Sequence, residues 1–294
     1  GPDPQYRSYQ DFFSPVLTEL VDTIICAHIN EYPEADYYVI GASEFRSSVS
    51  GHEQAWKALD GYHNISDRFD RCDLMSHADA RNGQRAVNEV EGDIELLYFL
   101  HKLFHERNVL SRTARHDATI LLGNIAPELY PVLGELFPKF GYLGSPDAYS
   151  AANTTRQLET IESLGQLGGP KILVLTLNDD NIAYLPQHVA QPTQSILPAI
   201  QRADFDGYVV RYWLTGDLDP GTAFLAKASW RLDATPHDVL KSRIEAICGN
   251  TAVDHALTAF QLLDELTSRN TPTFPWGFPV ASVMRSYFLK ADPP

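Results

Sequence analysis

Acidic side chains follow two apolar stretches of the sequence, at positions suited to acid–base chemistry. Glu44 comes directly after the first stretch, and Asp179 and Asp180 follow the second. A carboxyl group at the end of a buried strand is partly desolvated, which raises its pKa towards the range of a general acid. We predict Glu44 as a general acid and one of the two aspartates as its partner. The alternatives are a surface ion pair of Glu44 with Arg46, and a loop or helix cap at the aspartates.

Amide, cationic and aromatic side chains follow other apolar stretches, and together they suit a sugar ligand. Amides bind hydroxyl groups, and aromatic faces stack on sugar rings. An arginine inside an apolar stretch needs a carboxylate partner, on the protein or on a ligand. For the tryptophans, packing in the core is the alternative. The predicted substrate-binding residues are Asn124, Tyr142, Asn178, Arg211, Trp213 and Trp276.

Strand-like and helix-like stretches alternate along the chain, and this alternation would position those side chains. Near-continuous apolar strands joined by helices indicate a parallel sheet covered on both faces. The carboxyl ends of parallel strands meet at one edge, where functional residues gather. The predicted strands are 36–45, 118–124, 139–145, 171–177 and 207–213.

Apolar spacing predicts the helices between and after these strands. The first helix, at 12–29, has one apolar face, formed by Phe13, Val16, Leu17, Leu20, Val21, Ile24 and Ile25. A long polar loop is predicted after the first strand, until a helix begins near Arg85. Beyond Trp213 we expect no strands but a helical hairpin, which begins at Thr235 as the helix cap.

About five βα units are visible, whereas a complete barrel has eight strands. We therefore predict an α/β fold of the TIM-like barrel type that lacks its first strands. Residues 1–222 would form the barrel and 223–294 a C-terminal helical region. The missing strands would come from a partner segment or subunit.

Composition and motifs exclude several other classes. Lys and Arg total 23 against 38 Asp and Glu, a net charge of −15, which disfavours nucleic acid and anionic membranes. No apolar run is long enough to span a membrane. Dinucleotide, P-loop and serine-hydrolase motifs are absent from the sequence, so no cofactor is predicted. The three cysteines are expected to be buried free thiols, and His101 and His105 to be surface residues rather than metal ligands.

Three short stretches resemble TIM-barrel glycoside hydrolases, in particular α-glucuronidases and related exo-glycosidases. Residues 32–44 resemble the fourth barrel strand with its acid–base glutamate, and 175–180 resemble a seventh strand that ends in acids. Residues 211–238 resemble the barrel exit and the helical tail. The resemblance spans about Gln10 to Asn270. It implies Glu44 as general acid and Asp179 or Asp180 as base or nucleophile. The chain departs from the family in lacking the first three strands, and in having aspartate where many retaining relatives have glutamate.

The function expected from these features is hydrolysis of a glycosidic bond in an oligo- or polysaccharide. The sugar could be a uronic acid or an N-acetylhexosamine. One alternative is a catalytically silent carbohydrate-binding or scaffold domain of barrel fold, and another is a lyase that uses the same acids with a divalent metal. The leading Gly1-Pro2 is typical of tag removal, so a secreted or periplasmic location is expected if an export signal once preceded it.

Overall fold

The computed structural model describes residues 11–41, 51–145, 154–177, 188–211, 219–231 and 233–270. The chain divides into two compact units. Unit 1 comprises 1–144 and 166–171, and unit 2 comprises 145–165 and 172–294. In each unit parallel strands alternate with helices, which confirms the α/β class. The boundary at 222 stays a prediction.

Unit 1 contains three strands and four helices of the described chain. A π-helical turn at Lys102–Glu106 follows directly on the third helix. The elements in chain order are α1 Pro15–Glu31, β1 Tyr37–Gly41, α2 His52–His63, α3 Arg71–His101, β2 Thr119–Gly123, α4 Tyr130–Leu136 and β3 Gly141–Gly144.

The strands of unit 1 lie side by side in sequence order. β1 pairs with β2 in parallel, with Gly41 opposite Gly123, and β2 pairs with β3. β1 and β2 therefore end level at one edge. The apolar residues of β2 are buried, as predicted, but Tyr37 and Val39 of β1 are 41% and 52% exposed. The prediction that the sheet is covered on both faces is therefore wrong at β1.

Helix α3 is the central helix of unit 1. Its second half is buried on nearly all sides, with Val90, Ile94 and Leu97 fully enclosed. The helix is interrupted at Asn82 and Gly83, where Gly83 adopts φ 59°, a conformation that glycine tolerates best. The predicted helix from Arg85 is thus confirmed as this second half.

The predicted polar loop after β1 is wrong, because it contains α2 and the first half of α3. Helix α2 buries only Ala55, Trp56 and Leu59 and is otherwise polar. So narrow an apolar stripe gives a weak periodic signal. The start of α3 is capped by Asp70, whose carboxylate accepts a hydrogen bond from the backbone N–H of Cys72 at 2.7 Å.

Helix α1 forms where predicted, but only part of its predicted apolar face turns inward. Leu17, Val21 and Ile25 are half-buried, whereas Val16, Leu20 and Ile24 are more than half exposed. Thr18 and Asp22 are buried in their place. A polar network explains this orientation. The Asp22 carboxylate accepts hydrogen bonds from Arg107 and Arg112, and the Lys102 ammonium donates to Thr18 Oγ1. Ion pairing with a distant segment thus outweighs burial of the apolar face.

Unit 2 combines two parallel strands with five helices of the described chain. Thr176 pairs with Arg211, and the backbone N–H of Leu177 donates to the Arg211 carbonyl at 3.0 Å. The last two helices pack together around Leu240, Ile244 and Val253, which confirms the helical hairpin. The elements are α5 Thr154–Gly165, β4 Lys171–Thr176, α6 Ala190–Arg202, β5 Gly207–Arg211, α7 Asp219–Ala228, α8 Pro236–Cys248 and α9 Val253–Asn270.

Local signals set the ends of α8 as predicted. Thr235 Oγ1 accepts a hydrogen bond from the backbone N–H of Asp238 at 3.1 Å, and Gly249 follows the last turn. Helix α7 lies in the stretch that resembles a barrel exit, where the resemblance implies a helix. Among the described helices, none has both the length and the apolar composition needed to cross a bilayer.

Candidate functional site

The predicted site residues divide into those that the structure describes and those that lie outside the described residues. Asn124 and Tyr142 belong to unit 1, and Arg211 belongs to unit 2. The predicted residues outside the described ranges are Glu44, Asn178, Asp179, Asp180, Trp213 and Trp276.

Asn124 lies at the carboxyl edge of the strands of unit 1. It follows the last residue of β2, is exposed, and adopts the left-handed conformation with φ 60°. Asparagine tolerates this conformation better than most residues. Gly41, the last described residue before Glu44, is the register partner of Gly123, which precedes Asn124.

Tyr142 is a core residue of β3. It is 3% exposed, and its ring lies edge-on to that of Tyr130 at 5.9 Å between centroids. Burial raises the pKa of its hydroxyl, with a smaller contribution from Tyr130. The hydroxyl has no hydrogen-bond partner among the described residues. A role in substrate binding stays a prediction for this buried side chain.

Arg211 ends β5 and is half-buried. Its backbone carbonyl binds Leu177, which immediately precedes Asn178. Leu177 is the last described residue before Asp179 and Asp180, and it lies beside Arg211.

Asp93 is a buried carboxylate that the sequence reasoning missed. It lies on α3, is fully enclosed, and accepts a hydrogen bond from the backbone N–H of Ala126 through Oδ2 at 2.7 Å. Ala126 lies in the segment after β2, so Asp93 holds that segment against α3. A signal was present: Asp93 stands three residues after Val90 and four before Leu97, on the apolar face of the helix.

Glu95 is a second buried carboxylate on α3, 2% exposed. Its Oε1 accepts a hydrogen bond from the backbone N–H of Gly51 at 2.8 Å. Gly51 ends the segment after β1, which carries Glu44, and precedes α2. A Cβ at Gly51 would lie 2.6 Å from Phe13 Cε2 and 3.2 Å from Glu95 Oε1, so this close approach requires glycine. His52 adds a contact of 3.7 Å between its Nε2 and Glu91 Oε1.

In unit 2, the residues that follow 178–187 are bound by α9. The backbone N–H of His188 donates to Thr267 Oγ1 at 3.2 Å. The backbone N–H of Gln191 donates to Asp264 Oδ2 at 3.3 Å. Asp264 thus lies at the start of α6, where a negative charge is favourable.

Asp264 also contacts the imidazole of His188, with Nδ1 and Oδ2 3.3 Å apart. Both side chains are more than nine-tenths buried. These contacts join α9 to the beginning of α6.

These contacts share one arrangement. The segments after β1, β2 and β4 each end on backbone amides held by a buried carboxylate: Glu95, Asp93 and Asp264 respectively. The bonds therefore fix Gly51, Ala126 and Gln191, described residues that follow the ends of β1, β2 and β4. Fixed flanking residues are one requirement of a site that holds reacting groups in position.

Metal binding receives no support from the described residues. Within them, no group of three or more His, Cys, Asp or Glu side chains is arranged to hold a metal ion. The predicted surface position is correct for His105 but wrong for His101, which is 3% exposed. The thiols of Cys26, Cys72 and Cys248 are free, as predicted, but Cys72 and Cys248 are exposed rather than buried.

Comparison with known proteins gives no relative: no family model, curated protein or solved structure matches the chain.

Proposed function

We propose that the protein is a glycoside hydrolase that cleaves an oligo- or polysaccharide with a pair of carboxyl groups. Glu44 is the general acid, and Asp179 or Asp180 is the base or nucleophile. One observation carries this proposal. The two segments that contain these residues begin at carboxyl ends of parallel strands and end on amides held by the buried carboxylates of Glu95 and Asp264.

Acid catalysis depends on the exact position of the acid. A general acid must lie within hydrogen-bond reach of the leaving oxygen, and a displacement of about 1 Å can cost roughly 100-fold in rate. The exposed Asn124 at the edge of β2 supplies an amide group suited to sugar hydroxyls. Arg211 at the end of β5 supports a sugar carboxylate, as in a uronic acid, because guanidinium and carboxylate bind in paired geometry.

A barrel architecture is part of the proposal. Within unit 1, β1 pairs in parallel with β2 and β2 with β3, and within unit 2, β4 pairs in parallel with β5. Sequential parallel order within each unit is compatible with a βα barrel, whereas a doubly wound sheet reverses its order at a switch point. Further strands from a partner segment or subunit would complete the barrel.

The test is turnover of aryl glycosides by the wild type and by Glu44→Gln. The panel contains glucuronides, N-acetylhexosaminides and neutral hexosides, each as both anomers. We expect activity in one class and a fall of roughly 100-fold or more in kcat for the variant. The matched control is Glu34→Gln, which removes an exposed carboxylate before the same strand and should leave kcat unchanged.

The second carboxylate is identified by Asp179→Asn and Asp180→Asn, of which one should lose turnover. The anomer released, followed by NMR, separates retention from inversion. A folded wild type that hydrolyses no member of the panel overturns the proposal, and so does a Glu44→Gln variant with normal kcat. Sugar binding without turnover would instead favour the silent carbohydrate-binding domain.

A further inference from the structure

Three histidines of unit 1 meet where α2 and α3 end. His63 is the last residue of α2, His101 is the last residue of α3, and His105 lies in the π-helical turn. The ring centroids are 4.9 Å apart for His63 and His101, 4.9 Å for His101 and His105, and 5.7 Å for His63 and His105. No other part of the described chain brings three imidazoles into mutual contact.

The surroundings of the three rings would solvate a protonated imidazole poorly. His101 is 3% exposed, and its Nδ1 is buried without a hydrogen-bond partner among the described residues. The same holds for Nε2 of His63. His105 is exposed, but its ring stacks on Phe137 and its Nε2 lies 3.0 Å from the Leu136 carbonyl. These surroundings fit neutral rings better than imidazolium ions, because two of the ring nitrogens are buried without a hydrogen-bond partner among the described residues.

Among the described residues, the neighbouring carboxylates are too few to neutralise three imidazolium ions. Glu106 Oε1 lies 3.7 Å from His101 Nδ1. Glu135 acts on His63 but is already bonded to Arg68. A second proton on the cluster would therefore meet a like charge about 5 Å away. The titratable or charged groups around the three rings are Tyr62, Tyr98, Lys102, Glu106, Glu135 and Arg68.

The remaining neighbours do not change this balance. Tyr62 stacks on His101 at 4.6 Å, and its pKa is raised by Glu106, so it is neutral in acid. The pKa of Tyr98 is raised by burial and by Glu106, so it is also neutral. Lys102 donates to Thr18 Oγ1 and lies over the ring of Tyr98.

We propose that His63, His101 and His105 form an acid-sensitive latch that holds the end of α2 against the end of α3. Neutral rings pack and keep the latch closed, and protonation makes them repel and releases the end of α2. The beginning of α2 stays attached through the bond from Gly51 to Glu95. Acid thus frees one end of the helix that follows the segment 42–50. The latch goes beyond the proposed function and does not depend on it.

The direction of the pH dependence follows from the pKa values. Burial, and then His105 and His63, lower the pKa of His101 to about 4. Burial, and then His105, also lower the pKa of His63. A released His101 has an ordinary pKa near 6.5 and binds protons more readily, so the closed latch weakens as the pH falls from about 6.5 towards 4. From His101 alone, the ratio of open to closed latch should be roughly 30-fold higher at pH 5 than at pH 7.5.

Hydrogen exchange of the full chain tests the latch. The measured quantity is the amide protection factor of residues 58–70 at pH 7.5 and pH 5.0, corrected for intrinsic exchange rates. We expect protection in this segment to fall more than tenfold at pH 5.0, while the amides of β2 keep theirs. His105→Gln keeps a hydrogen-bond donor for Leu136 and removes one charge, so the fall should be clearly smaller.

The matched control is His77→Gln, which removes an exposed histidine from the first half of α3 and should behave as the wild type. If His105→Gln does not fold, His63→Gln serves the same comparison. Equal protection of 58–70 at both pH values overturns the latch. So does an equal fall in the variant and the wild type, or a fall of the same size in β2.

Discussion

Glu95 Oε1 accepts a 2.8 Å hydrogen bond from the backbone N–H of Gly51, and this bond joins the middle of α3 to the residue that precedes α2. Because α3 is the central helix of unit 1, the bond ties the segment after β1 to the most enclosed element of the unit. Asp93 does the same for the segment after β2 from another side of the helix. Polar residues inside this core therefore position surface segments.

Replacement of Glu95 by alanine tests the strength of this tie. Without the carboxylate, the Gly51 N–H loses its acceptor, and hydrogen bonds to charged groups contribute about 1.5–3 kcal/mol. We expect Glu95→Ala to lower the free energy of unfolding by about 2 kcal/mol in urea denaturation. Glu53→Ala, which removes a mostly exposed partner of Arg71, should cost less than about 1 kcal/mol. Equal losses for the two variants would contradict the prediction.

Gly51 lies just before α2 and Gly61 lies within it. Replacing each of them by alanine should shift the thermal midpoint in opposite directions. Gly51→Ala places a Cβ within 2.6 Å of Phe13 and 3.2 Å of Glu95, so we expect a lower thermal midpoint, at a cost of about 1–3 kcal/mol. Gly61 has no atom within 4 Å of such a Cβ and lies in an exposed helical turn. Gly61→Ala should therefore raise the midpoint, by about 1 kcal/mol of stability. Calorimetry of both variants measures the difference, and shifts of the same sign would refute it.

Two buried tyrosines differ in whether the hydroxyl is bonded. Tyr142 has no hydrogen-bond partner among the described residues, so Tyr142→Phe removes an unsatisfied polar atom. We expect a gain of about 1 kcal/mol in the free energy of unfolding. Tyr38 donates to the Tyr32 carbonyl at 2.5 Å, and Tyr38→Phe should lose about the same amount. The order of the two variants in urea denaturation is the test, and a less stable Tyr142→Phe would indicate a partner for its hydroxyl.

Asp22 should contribute stability only above acidic pH. Burial raises the pKa of its carboxyl, but hydrogen bonds from Arg112 and Arg107 outweigh burial and hold the pKa below its ordinary value of 3.8. The unfolded chain therefore binds the proton more readily, so the contribution is complete above about pH 5 and is lost as the pH falls through the folded pKa. At pH 7, Asp22→Asn should cost about 2 kcal/mol.

The pH dependence of that cost is the sharper measurement. In urea denaturation the difference between wild type and Asp22→Asn should shrink between pH 7 and pH 3. Asp117→Asn, which removes an exposed partner of Arg115, should differ little from wild type at either pH. A difference for Asp22→Asn that is equally large at pH 3 would contradict the prediction.

The candidate site was predictable in part. Strand ends follow from apolar runs, so the positions of Glu44, Asp179 and Asp180 after strands could be inferred from the sequence. The carboxylates that hold the same segments could not, because Glu95 and Asp264 act on amides that are distant along the chain. Only Asp93 could be recognised from the nearby sequence, because it is a charged residue on the apolar face of a helix.

The sequence by itself determined the alternation of strands and helices, because apolar runs and caps such as Thr235 act over a few residues. β2 and β4 lie within one residue of their predicted limits. The tertiary structure decided which helix faces are buried. Asp22 turns inward and Leu20 outward because Arg107 and Arg112 arrive from a segment more than 80 residues away. A helix carries its pattern locally, but its buried face depends on the partners that folding brings to it.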